Sequence, residues 1–133
     1  MPVLDTTVLI DVRRRPTKME PILRRVADMP EEAIVPMQVA LEFAAGEKDP
    51  DAALTTLAED FVVKPFDEAV ARRAAAIAAA AFRKGKFPGW GDAQIAATAL
   101  HAGVVVMTRN PRHLSDAFGA RVWDYSRDDE PPA

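Results

Sequence analysis

Residues 91–110 read Gly-Asp-Ala-Gln-Ile-Ala-Ala-Thr-Ala-Leu-His-Ala-Gly-Val-Val-Val-Met-Thr-Arg-Asn, and their order decides the fold. Asp92 opens a helix of small residues that runs to Ala102, and Gly103 closes it where a left-handed residue is wanted. Val104–Met107 then reads as a strand, β-branched and apolar on both faces, as a central parallel strand should be. A helix delivered straight into a doubly buried strand is the repeating unit of a parallel α/β sheet.

The same alternation extends outward in both directions. Val3-Leu4 reads as a brief strand ending at Asp5, with Thr6-Thr7 opening a helix through about Val12. Pro16 breaks that helix, and a second begins around Glu20 with Pro21 at its first helical position. Ala33–Val35 is the second strand, and Met37–Ala45 is a helix stopped by Gly46. Asp49-Pro50 starts a helix through Glu59, and Phe61–Val63 is the third strand. Asp67 caps a long alanine-rich helix to about Lys84, ended by Gly85 and followed by a loop over Lys86–Gly91. Arg121–Trp123 is a last short strand. The expectation is an α/β fold over residues 1–126, with a central, mainly parallel sheet of about five strands and right-handed crossovers. The acidic, proline-rich residues 127–133 are expected to fray. Sites in such sheets lie at the carboxyl ends of strands where the strand order reverses. That singles out Asp5-Thr6, Pro36 and Thr108-Arg109-Asn110.

Composition narrows the chemistry. A chain of 133 residues, 49% hydrophobic and 28% charged, suits one ordinary globular domain. Its longest apolar run, Ala74–Phe82, is too short to cross a bilayer, and the first residues carry no secretory signal pattern, so a cytoplasmic protein without a membrane role is expected. The absence of cysteine excludes disulfides, thiolate metal sites and cysteine nucleophiles. With only His101 and His113, both read as surface or structural residues, any metal site must be hard and oxygen-bound. Net charge is -3, yet Arg13, Arg14, Arg15, Lys18, Arg24 and Arg25 cluster early. Arg72, Arg73, Arg83, Lys84 and Lys86 fall within Ala69–Gly91, which holds no acid. Such a layout either shows a polyanion a basic face or only solvates helices, and the patches alone do not decide.

Three carboxylates stand where chemistry is expected. Asp5 follows a buried strand, where it either caps the next helix or faces a ligand. Glu42 lies in Val39-Ala40-Leu41-Glu42-Phe43-Ala44-Ala45, an otherwise apolar helix. Turned outward it needs nothing; turned inward it must be paired, coordinate something or carry a raised pKa. Asp92 shares a helix stripe with Ile95, Ala96 and Ala99, which directs it toward the strand ends, although an N-cap role is equally open. Three acids meeting in one crevice without histidine or cysteine form a site for Mg²⁺ or Mn²⁺. Trp90, between two glycines just before Asp92, reads as a lid or packing residue, or as a surface on which a base stacks.

At these residues the sequence resembles the PIN-domain ribonucleases, and within them the VapC toxins of bacterial toxin–antitoxin pairs. Val3-Leu4-Asp5-Thr6-Thr7-Val8-Leu9-Ile10 is similar to the opening motif, and Pro36-Met37-Gln38-Val39-Ala40-Leu41-Glu42 to the second. Residues Gly91–Leu100 resemble the third and most specific segment, and Val105-Val106-Met107-Thr108-Arg109-Asn110 the fourth. The four occur in the family's order and cover nearly the whole chain. One departure is Asn110, where the family often has aspartate.

The resemblance implies a three-layer α/β/α sandwich and a Mg²⁺- or Mn²⁺-dependent endoribonuclease that cleaves RNA phosphodiester bonds. It implies that Asp5, Glu42 and Asp92 hold the metal, with Asn110 and the hydroxyls of Thr6 or Thr108 completing the set. The metal would lower the pKa of a bound water and neutralise charge on the scissile phosphate. Arg109 and the basic residues near Arg13–Arg15 and Lys84–Lys86 would contact the phosphate backbone. It further implies a homodimer and a cognate VapB-like antitoxin, with promoter DNA reached only through that antitoxin. The 25 alanines favour close helix packing against a partner subunit as well. The alternative is a catalytically weak PIN-like interaction module acting through a protein partner, which Asn110 keeps open. A haloacid-dehalogenase-like phosphatase would need a second aspartate at position 7, which is Thr7, and no glycine-rich phosphate loop is present.

Overall fold

A computed structural model describes residues 2–30, 32–127 and 132. Its elements run β1 (Val3–Leu4), α1 (Thr6–Arg14), α2 (Pro16–Ala27), β2 (Ile34–Pro36), α3 (Met37–Ala45), α4 (Pro50–Asp60) and β3 (Val62–Lys64). Then follow α5 (Glu68–Arg83), α6 (Trp90–Ala102), β4 (Val106–Thr108), α7 (Arg112–Phe118) and β5 (Val122–Asp124). The five strands form one sheet in the order β3-β2-β1-β4-β5, and every pairing is parallel. The chain steps from β1 through β2 to β3 on one side, then returns to place β4 and β5 on the other. Right-handed crossovers in the two directions put α1–α4 on one face and α5–α7 on the opposite face. The helix pairs in contact agree, with α1 against α2 and α3, and α5 and α6 against each other and α7. The result is the expected α/β/α sandwich.

The sheet is short but wholly apolar where it matters. Val3, Ile34, Val35, Val106 and Met107 have no accessible surface, and Trp123 on β5 is nearly as buried. Val3 registers with both Ile34 and Val106, so β1 lies at the centre and the order reverses between β1 and β4. At the carboxyl ends Thr108 registers with Asp124, and the Asp5 amide donates to the Met107 carbonyl at 3.1 Å. This edge sets Asp5, Thr108 and Asp124 side by side.

Several boundaries differ from the sequence reading, each for a local reason. Pro16 does interrupt the first helix, but it also opens α2 at once, so Pro21 lies inside that helix rather than at its start. Val104 lies in the turn that closes α6, where its amide bonds the Ala99 carbonyl while Gly103 turns left-handed with φ 70°. The strand therefore shifts to Val106–Thr108 and delivers Thr108 at full burial. α6 begins at Trp90, with Gly89 at φ 142° before it, so Asp92 sits within the first turn and is not the N-cap. Helix α7 was not expected; Gly119 in left-handed conformation closes it. Of residues 127–133, Arg127 bonds the Asp124 carbonyl through its amide, while 128–131 and 133 lie outside the described residues, and the expected fraying with them. Among the described residues no helix is long and apolar enough to cross a membrane.

Candidate active site

An open cavity of about 770 Å³ lies at the carboxyl ends of β1, β4 and β5, with Asp5, Glu42, Asp92, Asp124 and Asn110 among its walls. It occupies the point where the strand order reverses, as the topology requires.

Asp5 does both things the sequence left open to it. Its Oδ1 accepts from the Thr6 amide at 2.7 Å and so caps α1. Its Oδ2 accepts from Thr108 Oγ1 at 2.7 Å and, more weakly, from Thr7 Oγ1 at 3.4 Å. Burial pushes the Asp5 carboxyl above its ordinary value of 3.8. The bonds from Thr108 and the Thr6 amide act in the opposite direction, and the negative charge of Asp92 raises it further. Thr108 itself accepts from the Asn110 amide at 3.0 Å, which folds the loop after β4 back over the site.

Glu42 is exposed, so the argument from the cost of burying it does not apply. It instead faces the cavity, where its Oε2 accepts from Thr6 Oγ1 at 3.1 Å and its Oε1 from Gln38 Nε2 at 2.7 Å. A side chain on Gly91 would put Cβ 3.7 Å from Glu42 Oε1, so the start of α6 comes close to α3 at this point. Asp92, one residue on, lies 3.3 Å from His113 Nδ1 through its Oδ2. Asn110 is exposed on the cavity wall. Trp90 is outside the cavity walls, 56% exposed, with its ring 4.9 Å from that of Phe87 and 6.0 Å from that of Phe82.

The sequence reading placed Asp5, Thr6, Glu42, Asp92, Thr108, Arg109 and Asn110 near one crevice, and the fold brings all seven to this end of the sheet. It missed four residues. Asp124 also borders the cavity, and the rule that questioned residues just after strands would have found it after Trp123. His113 was read as a surface or structural residue, because its position depends on α7. Asp11 and Tyr125 form a buried pair: Asp11 Oδ1 takes Arg109 Nη1 at 3.0 Å, and Oδ2 takes the Tyr125 hydroxyl at 2.6 Å. Burial and then the bond to Asp11 push the Tyr125 hydroxyl well above its ordinary pKa, which keeps it a donor. Arg109 is thus held by Asp11, with 36% of its side chain still open to solvent.

The donor set is all oxygen, apart from His113, and suits a hard divalent cation rather than zinc or iron. Among the described residues no three acids or histidines stand close enough to ligate one ion, because Glu42 leans on Gln38 and Thr6, and Asp92 on His113. Both acids sit on the wall of the cavity that Asp5 overlooks.

A parallel α/β/α sandwich with acids from β1, α3 and α6 at its switch point defines a class, and comparison places the chain within it. The chain belongs to the PIN domain family, whose sequence profile matches residues 3–117. The resemblance to VapC-type PIN proteins read from the four motifs is borne out. A chain of FitAcB from Neisseria gonorrhoeae is 26% identical and superposes with a TM-score of 0.70, over 92% of this chain and 96% of that one. A chain of DNA-bound VapBC from Salmonella typhimurium is 26% identical, with a TM-score of 0.76 over 94% of this chain and 99% of that one. VapBC2 from Rickettsia felis, bound to a promoter DNA fragment, gives a TM-score of 0.78 at 16% identity, over 91% and 96% of the two chains, a likeness of fold alone. No curated protein sequence matches the chain with significance.

Proposed function

We propose that this chain is a divalent-metal-dependent endoribonuclease and the toxin of a toxin–antitoxin pair. The observation that carries this reading is the meeting of Asp5, Glu42 and Asp92, from three separate elements, around one cavity at the switch point of a PIN-domain sheet. Asp5, Glu42 and Asp92 would hold Mg²⁺ or Mn²⁺, with Asn110 and Asp124 at the rim. The ion would supply a water of lowered pKa and positive charge against the scissile phosphate.

The chain's own residues prepare the site. Thr108 and the Thr6 amide fix both oxygens of Asp5, and desolvation makes that carboxylate favour a cation over bare ionisation. Glu42 and Asp92 are tied only to partly exposed neighbours, so rotating their side chains toward Asp5 breaks few contacts. Arg109, pinned by Asp11, presents its remaining donors toward a phosphate.

Chains of this fold occur in VapBC and FitAB complexes, three of them on DNA, which supports an antitoxin partner through which promoter DNA is reached. A homodimer in the cytoplasm completes the reading, and light scattering near twice 14.5 kDa would support it. Asn110 favours the other reading, an interaction module with weak catalysis. Asp124, registered with Thr108, restores a fourth carboxylate to the cavity and weighs toward the enzyme. The test is cleavage of RNA in Mn²⁺ or Mg²⁺ by the purified chain and by Asp5→Asn, Glu42→Gln and Asp92→Asn. Metal-dependent cleavage lost in all three supports the proposal; cleavage that survives in any of them removes that residue, and none in the wild type favours the module.

A further inference from the structure

Beside the carboxylate cavity lies a second, smaller one of about 140 Å³, and Arg109 and Ser126 wall both. Arg15, Lys18, Asp11 and Tyr125 also line it. Its volume is that of roughly five waters in the liquid, room for one tetrahedral oxyanion. Its charge is not that of the surrounding helices. Arg13 is paired with Glu47 and Arg24 with Glu20, whereas Arg15 and Lys18 have no acid partner among the described residues. Asp11 does not cancel them, because its two oxygens are taken by Arg109 and by the Tyr125 hydroxyl. Three cations thus border one small pocket against a single carboxylate that is already engaged.

The neighbouring cavity gives such a pocket a use, beyond the Arg109, Arg112 and Arg127 that stand among its own walls. A polyanion entering a site walled by Asp5, Glu42, Asp92 and Asp124 is repelled until cations next to it hold the backbone. Arg109 belongs to both walls and is held by a buried pair, so a phosphate on one side and a phosphate on the other share one fixed guanidinium.

We propose that the Arg15–Lys18–Arg109 pocket is a second phosphate site, which takes an internucleotide phosphate flanking the one at the carboxylate cavity. The identity of the phosphate's source rests on the nuclease reading; the anion chemistry of the pocket does not. The experiment uses the full chain with EDTA present, single-stranded RNA over a potassium chloride series, and the Arg15→Gln/Lys18→Gln double variant. Both side chains are exposed, and a thermal melt of the variant matching the wild type checks the fold.

Losing the one phosphate contact made by the pocket should lower the slope of log affinity against log salt by about 0.7. The Arg72→Gln/Arg73→Gln variant, with equal charge removed from α5, should leave the slope unchanged. In the metal-loaded enzyme the double variant should raise KM and keep kcat. RNAs carrying one uncharged methylphosphonate at successive positions should abolish the difference between wild type and variant at a single position. Inorganic phosphate alone, titrated by NMR, should shift the Arg15 side-chain resonance saturably in the wild type, and leave Ser126 unshifted in the variant. If RNA is cleaved but slope, methylphosphonate scan and phosphate titration are all indifferent to Arg15 and Lys18, the pocket proposal falls while the nuclease stands. If phosphate binds at Arg15 but RNA is neither bound nor cut, the pocket stands and the nuclease reading falls.

Discussion

Replacing Thr108 with valine keeps the shape of a side chain that has no accessible surface and removes its hydroxyl. The structure assigns that hydroxyl one strong bond, donated to Asp5 Oδ2 at 2.7 Å, and one weaker role, accepting from the Asn110 amide at 3.0 Å. A hydrogen bond to a charged acceptor contributes about 1.5–3 kcal/mol, whereas the amide of exposed Asn110 can turn to water at small cost. The expected loss is about 2 kcal/mol. A chain of 133 residues has an unfolding entropy of about 0.28 kcal/mol/K, so Tm should fall by about 7 °C. The pH dependence is the sharper test. Asp5 holds its proton to higher pH in the folded chain than in the unfolded one, so its contribution to stability falls as pH rises from 3.8 through its raised folded pKa. Thr108 is the largest influence opposing that rise, so the valine variant should extend the fall to higher pH. The two proteins should be closest in stability below pH 3.8 and furthest apart at neutral pH. Thermal unfolding followed by circular dichroism in EDTA measures this. A neutral-pH loss under about 0.5 kcal/mol, or a gap that does not widen with pH, would refute the role given to Thr108.

Asp5→Asn retains an acceptor for the Thr6 amide and removes the charge, so its stability at neutral pH should match or exceed the wild type while cleavage is lost; denaturant melts with paired activity assays check both. Tyr125→Phe strands one oxygen of buried Asp11 and should cost about 2 kcal/mol, read as a Tm lower by roughly 7 °C. It should also raise KM for RNA more than it lowers kcat, because Arg109 loses its brace, and an unchanged KM would count against that role. Asn110→Asp adds a carboxylate to the cavity wall and should tighten Mn²⁺ binding in calorimetric titration; identical isotherms would mean residue 110 does not face the ion.

The parts of this fold that were legible in the sequence are those written in local chemistry. Gly103 ends α6 and a β-branched run follows it, Asp67 caps α5 through the Val70 amide, and Met37–Ala45 stops at Gly46. Such signals also placed Asp5 just after a strand and Glu42 and Asp92 on helices. What stayed hidden depends on contacts distant in sequence. Asp11 looks like one more polar residue on α1, and only the fold brings Arg109 and Tyr125 to it across 98 and 114 residues. Glu42 could be read as turned inward or outward from its apolar neighbours, and the fold leaves it exposed beside the cavity. His113 could not be placed while α7 was unseen, since Asn110-Pro111 reads equally well as a plain turn.

The central claim is that Asp5, Glu42 and Asp92 act on one ion, and a crystal soaked in Mn²⁺ tests it most directly. The account predicts an anomalous-scattering peak in the cavity within bonding distance of Asp5 and Asp92, at about 2.2 Å, with Glu42 turned away from Gln38 to reach it directly or through water. A peak elsewhere, or a cavity that stays without one while Glu42 keeps its bonds to Gln38 and Thr6, would contradict it.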